Sequence, residues 1–262
     1  MKIVVCVKEV PDTTDVKMDP EHGTLIRDGV PSIINPFDAF ALEMALQLKD
    51  KDPSIEITTI CMGPPHAEKS LRETVAMGAD NAILITDRAF AGSDTWATSY
   101  TLASAIETLG DIDMIFAGQQ AIDGDTAQVG PGIAEFLKIP QAIFVSSIEI
   151  IDDKTVVAER LTETGREKIR IGLPTLLSII KLPKDPRLPS LRGMMKSKKA
   201  EIPKIGMDGL NVEEQNLGLS GSPTRVMKIF TPPKRESGEI WEGEASDFAV
   251  RLAEEIKKQS IV

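Results

Sequence analysis

The stretch DMIFAGQQAIDGDTAQVGPGIAEFL, residues 113–137, decides the fold. Its opening run, DMIFAG, is apolar and short, which predicts a buried strand. Its closing run, PGIAEFL, starts with Pro and continues with helix formers, which predicts a helix. Between them, residues 117–131 hold three Gly, three Gln, two acids and one Thr, with no Lys or Arg. A strand that passes into a helix through a loop of small polar residues is half of a βαβ unit. In an open parallel sheet such a loop lies at the carboxyl end of its strand, where ligands bind.

The residues on either side repeat the pattern. KIVVCVKEV (2–10) is a β-branched run of the kind buried on both faces of a sheet. NPFDAFALEMALQLKD (35–50) predicts a helix, with Asn35 placed to cap it, Pro36 at its first position, and Phe37, Phe40, Met44 and Leu48 at helical spacing. SIEITTICMG (54–63) is a second strand, HAEKSLRETVAMG (66–78) a helix closed by Gly78, and NAILIT (81–86) a third strand. SDTWATSYTLASAIETLG (93–110) opens on a Ser/Asp/Thr cap cluster, and QAIFVSSIEII (141–151) supplies a fifth strand. The alternation runs to about residue 145 and predicts a Rossmann-like α/β fold, a parallel sheet with helices on both faces. SIEIIDD, KTVVAERLTE and REKIRIGLP then read as an antiparallel excursion beside that sheet.

The character changes near residue 181. KLPKDPRLPSLRGMMKSKKAEIPK (181–204) holds eight basic and two acidic residues and four Pro, and the segment from there to about residue 240 has little periodicity. A final helix, ASDFAVRLAEEIKKQ, closes the chain. The division expected is therefore an α/β domain over 1–180 and a C-terminal arm over 181–262 lying on a partner, since a long irregular segment is unusual inside a compact domain.

The totals exclude several classes. The 262 residues are enough to bury a core without disulfides or metals. With 40 acidic against 30 basic side chains, the net charge of -10 disfavours nucleic acid and anionic membranes as general partners. Cys6 and Cys61 fall in expected strands and read as buried, reduced thiols, in keeping with a cytoplasmic location. His22 and His66 are far apart in the chain, and no Cys/His cluster has metal-ligand spacing. The N-terminus lacks the pattern of a signal peptide, and no apolar run is long enough to insert in a membrane.

Four strand ends bring distinctive residues to one edge: VKEVPDT, CMGPPHAE, TDRAFAGSDTWATS and AGQQAIDGDTAQVGP. The last is the most informative. A helix N-terminus carries unpaired N–H groups and partial positive charge, and the small residues around Thr126, Ala127, Gln128, Val129 and Gly130 would let a phosphate approach them. Two readings of Asp123 and Asp125 stand: they accept hydrogen bonds from ribose hydroxyls, or they only cap the helix. Neither G-x-G-x-x-G nor the P-loop pattern is present at this loop, and no G-x-S-x-G elbow exists. Asp12, Asp123 and Asp125 have no second acid placed against them by the pattern, so hydrolase chemistry is disfavoured and no catalytic residue is assigned.

Five landmarks, in order, are VVCVKEVPDT, INPFDAFALE, CMGPPHAEKSLRETVAMGAD, AGQQAIDGDTAQVGP and DPRLPSLRGMMKSKKAEIP. Over essentially its whole length the chain resembles the β-subunit of electron-transfer flavoprotein. The resemblance implies a heterodimer with an α-subunit that carries a redox FAD. It implies an adenine-nucleotide pocket in this chain that holds AMP in one branch and a second FAD in the other. DGDTAQVGP and GSDTWATSYTLA look like the second branch, in which NADH reduces that FAD and the electrons are split between ferredoxin and, through the α-subunit, an acyl-CoA dehydrogenase-like partner. By resemblance the pocket takes Gly118, Ala121, Asp123, Gly124, Asp125, Thr126, Ala127, Gln128, Val129 and Gly130. Val7 and Lys8, with Cys61, Met62 and Gly63, would flank adenine and ribose. Asp94, Thr95 and Thr98 would reach the phosphates or the flavin end. RLPSLRGMMKSKK aligns with the family's recognition loop. On the residues alone Leu191 reads as a core leucine of the arm; the resemblance makes it an apolar anchor on the dehydrogenase, ringed by Arg187, Arg192 and Lys196.

Overall fold

The computed structural model describes residues 1–12, 31–227 and 238–258. His22, Thr13 of the first strand-end motif and Gln259 of the last helix lie outside these. The chain divides into two compact units, 1–227 and 228–262.

The first unit is built on a nine-stranded sheet. Its strands are β1 Lys2–Cys6, β4 Glu56–Met62, β5 Asn81–Ile85, β6 Met114–Gly118, β7 Gln141–Asp152, β8 Thr155–Thr162, β9 Gly165–Gly172, β10 Thr175–Ile179 and β11 Lys204–Ile205. Two short strands, β2 Glu9–Pro11 and β3 Ser32–Ile34, pair separately as an antiparallel ribbon. The sheet order is β11-β5-β4-β1-β6-β10-β7-β8-β9. Everything from β11 to β7 is parallel, and β7, β8 and β9 continue as the antiparallel excursion.

Side-chain alternation along β1 shows why the sheet is covered twice. Ile3 and Val5 point into a core shared with α1 (Pro36–Lys51) and α2 (Glu68–Met77), through Phe40, Leu42, Leu71 and Val75. Val4 and Cys6 point into a second core with α3 (Thr95–Glu107) and α4 (Val129–Leu137), through Leu102, Ile106, Ile133 and Ala134. Buried on both faces, β1 has no solvent side on which a polar residue would be tolerated. The parallel sheet with flanking helices is the architecture that the strand–helix alternation implies.

Two features differ from the reading of the sequence. The strand beside β6 is β10, the run TLLSI, inserted between β6 and β7 and buried at every position. Its signal was present, a short apolar run just after Pro174, but the polar turns around it read as part of the excursion. Second, the segment after 181 is folded on its own domain as far as Met227. RGMM lies within a helix, α5 (Leu191–Lys199), with Ser190 as its cap, accepting from Gly193 N at 2.9 Å. Gly193 lets α5 lie against α2, because a Cβ there would fall 2.0 Å from Ala76 O. Arg72 Nη1 donates to the carbonyls of Ser197 at 2.6 Å and Ala200 at 3.1 Å. Lys204–Ile205 then extends the sheet beside β5, and the four-residue α6 (Gly218–Gly221) comes after it. Local Pro and Gly hid these contacts from a periodicity reading, since α5 and β11 are each held by tertiary partners and not by a repeating apolar face.

Of the second unit, α7 (Ala245–Lys258) is described, with Trp241 against Phe248 and the Arg251 guanidinium 4.2 Å above the Trp241 ring.

Candidate nucleotide site

Chain order gives the place where an open sheet of this kind receives a ligand. From β1 the chain steps outward to β4 and β5 on one side, then returns through α3 to β6 on the other side of β1. The direction of winding reverses between β1 and β6, and a crevice opens where a sheet reverses. Lys8 follows β1 there, and the loop 119–128 follows β6.

The first turn of α1 braces both lips of this crevice. Asp38 is buried, and its carboxylate accepts from Lys8 N at 2.8 Å and from Gly118 N at 3.1 Å, one backbone donor from each strand end. Gly118 is required at this approach: a Cβ would sit 2.3 Å from Asp38 Oδ1 and 2.6 Å from the Phe37 carbonyl carbon. Asn35, fully buried, stands at the cap position of α1, yet its side chain makes no cap bond. It turns to the loop instead, donating from Nδ2 to Gln120 O at 2.8 Å and accepting at Oδ1 from Ile122 N at 3.2 Å. Asp38 is a site-supporting residue that the sequence reading passed over, and Asn35, read there as the cap of α1, serves the loop instead. The signal for Asp38 was an acid in the first turn among buried positions of α1.

Across the crevice Lys8 Nζ meets Asp123 Oδ1 at 2.6 Å, and Gln120 Nε2 donates to Asp125 Oδ1 at 2.8 Å. Asp123 and Asp125 therefore organise the loop and do not cap α4. Asp125 and Ala127 have φ of 52° and 55°, the left-handed region that non-glycine residues enter at a cost of roughly 1–2 kcal/mol. Left-handed Ala127 is followed by Gln128 near the right-handed region, an alternation of hand that turns successive N–H groups toward one side. No side chain caps α4 at Gln128, so its first N–H groups have no side-chain cap partner. A Cβ at Gly124 would meet nothing within 4 Å. Backbone donors, one ammonium, small residues and open space suit the phosphate end of a nucleotide.

The second strand end, after β4, lies beside the end of β1. Cys61 is buried, and burial pushes its thiol up to about 12, with a hydrogen bond from the Glu9 backbone opposing. Val7 is buried beside it, while Met62 and Gly63 are half-buried. Val7 and Cys61 are core residues with almost no exposed surface, and Cys61 is no reactive thiolate.

Asp94 is differently placed from the expectation that it reaches the ligand. One oxygen caps α3, accepting from Trp96 N at 3.0 Å and Ala97 N at 3.1 Å. The other accepts from Thr224 N at 2.8 Å and Thr224 Oγ1 at 2.7 Å. Burial alone would raise its pKa, but these donors hold the carboxyl below the usual carboxylate range. Thr95 and Thr98 remain half-buried at the start of α3, and Thr98 N bonds Asp94 O. The N–H groups at the start of α3 are partly satisfied, so α4 offers the freer anion site.

The recognition-loop residues form a separate group. Leu191 is 80% exposed, with Leu188 at 87% and Met195 at 67%. Arg192 is exposed. Arg187 and Lys196, expected to ring the anchor, are engaged with their own chain. Arg187 pairs with Glu43 at 2.8 Å and Asp50 at 2.7 Å, and Lys196 Nζ donates to Ala79 O at 3.0 Å beyond the end of α2. Among the described residues no group of His, Cys, Asp and Glu could hold a metal ion, and no helix is long and apolar enough to cross a membrane.

Comparison with known proteins decides the family. A model of the electron transfer flavoprotein domain matches residues 22–208. The β-subunit of the electron transfer flavoprotein of Thermoanaerobacterium thermosaccharolyticum is 48% identical over the whole of both chains. The chain belongs to the electron transfer flavoprotein β-subunit family. The Megasphaera elsdenii β-subunit is 50% identical over 91% of this chain and 90% of its own. The caffeyl-CoA reductase-Etf complex subunit CarD of Acetobacterium woodii is 46% identical over the full length of both. The loop after β6 and the first turn of α1 are joined by hydrogen bonds at the point where the sheet reverses.

Proposed function

We propose that this chain is the β-subunit of a heterodimeric electron-transfer flavoprotein and holds a second FAD at the β1–β6 crevice. The observation that carries the reading is the uncapped start of α4 behind a left-handed loop, set at the point where the sheet reverses. Backbone N–H groups of residues 127–130 would hold the phosphates, Lys8 would add charge, and Val7 with residues 61–63 would flank the adenosine. When bound, that FAD supplies a two-electron acceptor for NADH whose electrons leave singly, one toward the α-subunit FAD and one toward ferredoxin. The chain's own part is to hold, orient and shield; no side chain at the crevice has to move a proton. CarD, whose name places it in a reductase–Etf complex, supports the reading that a dehydrogenase-type flavoenzyme, with an enoyl-CoA as the favoured substrate, receives the α-subunit's electrons. Leu191 would be the contact with that partner, an exposed leucine on a helix pinned at both ends. The unit from residue 228 onward would lie on the α-subunit.

The test is a charge placed where backbone is expected to meet phosphate. Ala127→Glu in the co-purified heterodimer should lose the β-bound nucleotide and keep the α-subunit FAD, as read from acid extracts. Unchanged nucleotide content would refute the placement. Recovery of AMP in place of a second FAD would assign the chain to the other branch of the family.

A further inference from the structure

Asp38 has an unusual position among the acids of this chain. Its two oxygens are divided between the two strand ends that form the crevice, Lys8 N on one side and Gly118 N on the other, at 2.8 and 3.1 Å. The same turn of α1 supplies Asn35, which receives Lys8 through its own N–H to Lys8 O at 2.8 Å and holds the far loop at Gln120 and Ile122. No water-exposed route of adjustment is open: Asp38 is buried, and Gly118 already lies against it without a side chain.

A carboxylate accepts from both N–H groups at once. A carboxylic acid has an O–H on one oxygen, which confronts one of the two N–H donors with another donor. The hydroxyl oxygen is also the poorer acceptor, so protonation weakens the hold on one strand end while the other stays bonded. We propose that Asp38 is a positioning residue for the nucleotide crevice: by bridging Lys8 N and Gly118 N it fixes the distance between the two lips, so nucleotide affinity follows its ionisation. This role rests on the reading of the crevice as a nucleotide site.

The surroundings let this titration fall in a useful range. Burial raises the Asp38 carboxyl to about 7, against the opposing pull of Asn35, the Lys8 and Gly118 N–H groups and the Lys8 charge. The other titratable groups facing it are few. β1 brings Cys6, and β4 brings Cys61; burial raises both thiols far above neutrality, so both stay uncharged. Lys8 points its ammonium to Asp123. β6 and β10, also packed on α1, contain no titratable side chain in MIFAG and TLLSI. On α1 itself, Glu43 is committed to Arg187.

The experiment measures binding of ADP-ribose, whose pyrophosphate stays fully ionised, to the full chain by calorimetry at about pH 6 and about pH 8. For one ionisation near neutrality, affinity should fall roughly ten-fold from the higher to the lower pH. Asp38→Asn should bind weakly at both, with no pH dependence. Hydrogen exchange on the wild type gives a second readout that needs no variant. The Lys8 and Gly118 amides, corrected for intrinsic rates, should lose protection at the lower pH while neighbouring strand amides keep theirs. Wild-type binding that does not change with pH, an Asp38→Asn variant that keeps the wild-type profile, or steady protection at the two amides would each overturn the proposal and leave the nucleotide site standing. No ADP-ribose binding at either pH would overturn the nucleotide reading, and the positioning role with it.

Discussion

Lys8 Nζ lies 2.6 Å from Asp123 Oδ1, so one ion pair joins the end of β1 to the loop after β6 across the mouth of the crevice. The two residues are 115 apart in sequence and meet because β1 and β6 are sheet neighbours. Lys8 is 49% exposed, so the pair adds little to stability, within about 1 kcal/mol. Its charge matters more to a bound phosphate. Lys8→Ala should leave the melting temperature nearly unchanged and weaken nucleotide retention roughly ten-fold, about 1.4 kcal/mol, by equilibrium dialysis. A large fall in melting temperature with normal retention would make the pair a structural brace only.

Gly118, at the end of β6, and Gly124, in the loop after it, should behave differently. Gly118→Ala puts a Cβ into Asp38 Oδ1 and the Phe37 backbone, neither of which can yield easily, and should cost about 1–3 kcal/mol in denaturant unfolding. Gly124→Ala meets nothing and should stay within about 0.5 kcal/mol. Equal effects at both positions would contradict the described packing.

How much of this was legible beforehand depends on what holds each element in place. β1, α1, α3, α4 and the loop after β6 show themselves through local pattern, because β-branched runs, caps and helical spacing are written within a few residues. Asp38 and Asn35 did not, because their role exists only once β1 and β6 are neighbours and the helix start falls between their ends. β10 was missed for a similar reason: a five-residue apolar run is ambiguous until a gap in the sheet needs it. Asp94 shows the converse. Its cap role was visible in SDT, but Thr224, which occupies its second oxygen, is distant in sequence.

Arg187 ties the segment before α5 to α1 through Glu43 and Asp50. Removing it leaves Glu43 buried with Gln47 as its remaining side-chain partner among the described residues. Arg187→Ala should cost about 1–3 kcal/mol. Burial opposes ionisation of Glu43, but the Arg187 donors outweigh it and lower its pKa; at Asp50 those donors are themselves the largest cause of a lowered pKa. Groups with lowered folded pKa stabilise above their unfolded values and lose that contribution as pH falls through the folded ones. The gap between wild type and variant should therefore close in acid, by thermal melts across the carboxylate range. A gap that persists unchanged there would mean that Arg187 acts by packing alone.

Asp38 carries the opposite sign. Its folded pKa, near 7, stands above the ordinary 3.8, so the folded state holds the proton longer than the unfolded chain. Stability from this group is complete in acid below the ordinary value and is lost as pH rises toward 7. Asp38→Asn should flatten that descent in melting temperature between about pH 4 and 7. A steeper descent in the variant would show that the carboxylate is stabilised by its two N–H donors more than burial disfavours it.

Leu191 is exposed, and its removal leaves no cavity. Leu191→Ala should change melting by less than about 0.5 kcal/mol and leave flavin content intact. Electron transfer to the dehydrogenase partner should slow by roughly ten-fold or more, while NADH reduction in the isolated heterodimer is untouched. A lowered melting temperature with normal coupling would return the loop to a structural role.

Whether the crevice between β1 and β6 holds a whole second FAD is tested most directly by counting cofactors. The heterodimer, purified without added flavin and extracted in acid, should yield two FAD per αβ pair and no AMP. One FAD with one AMP would contradict it.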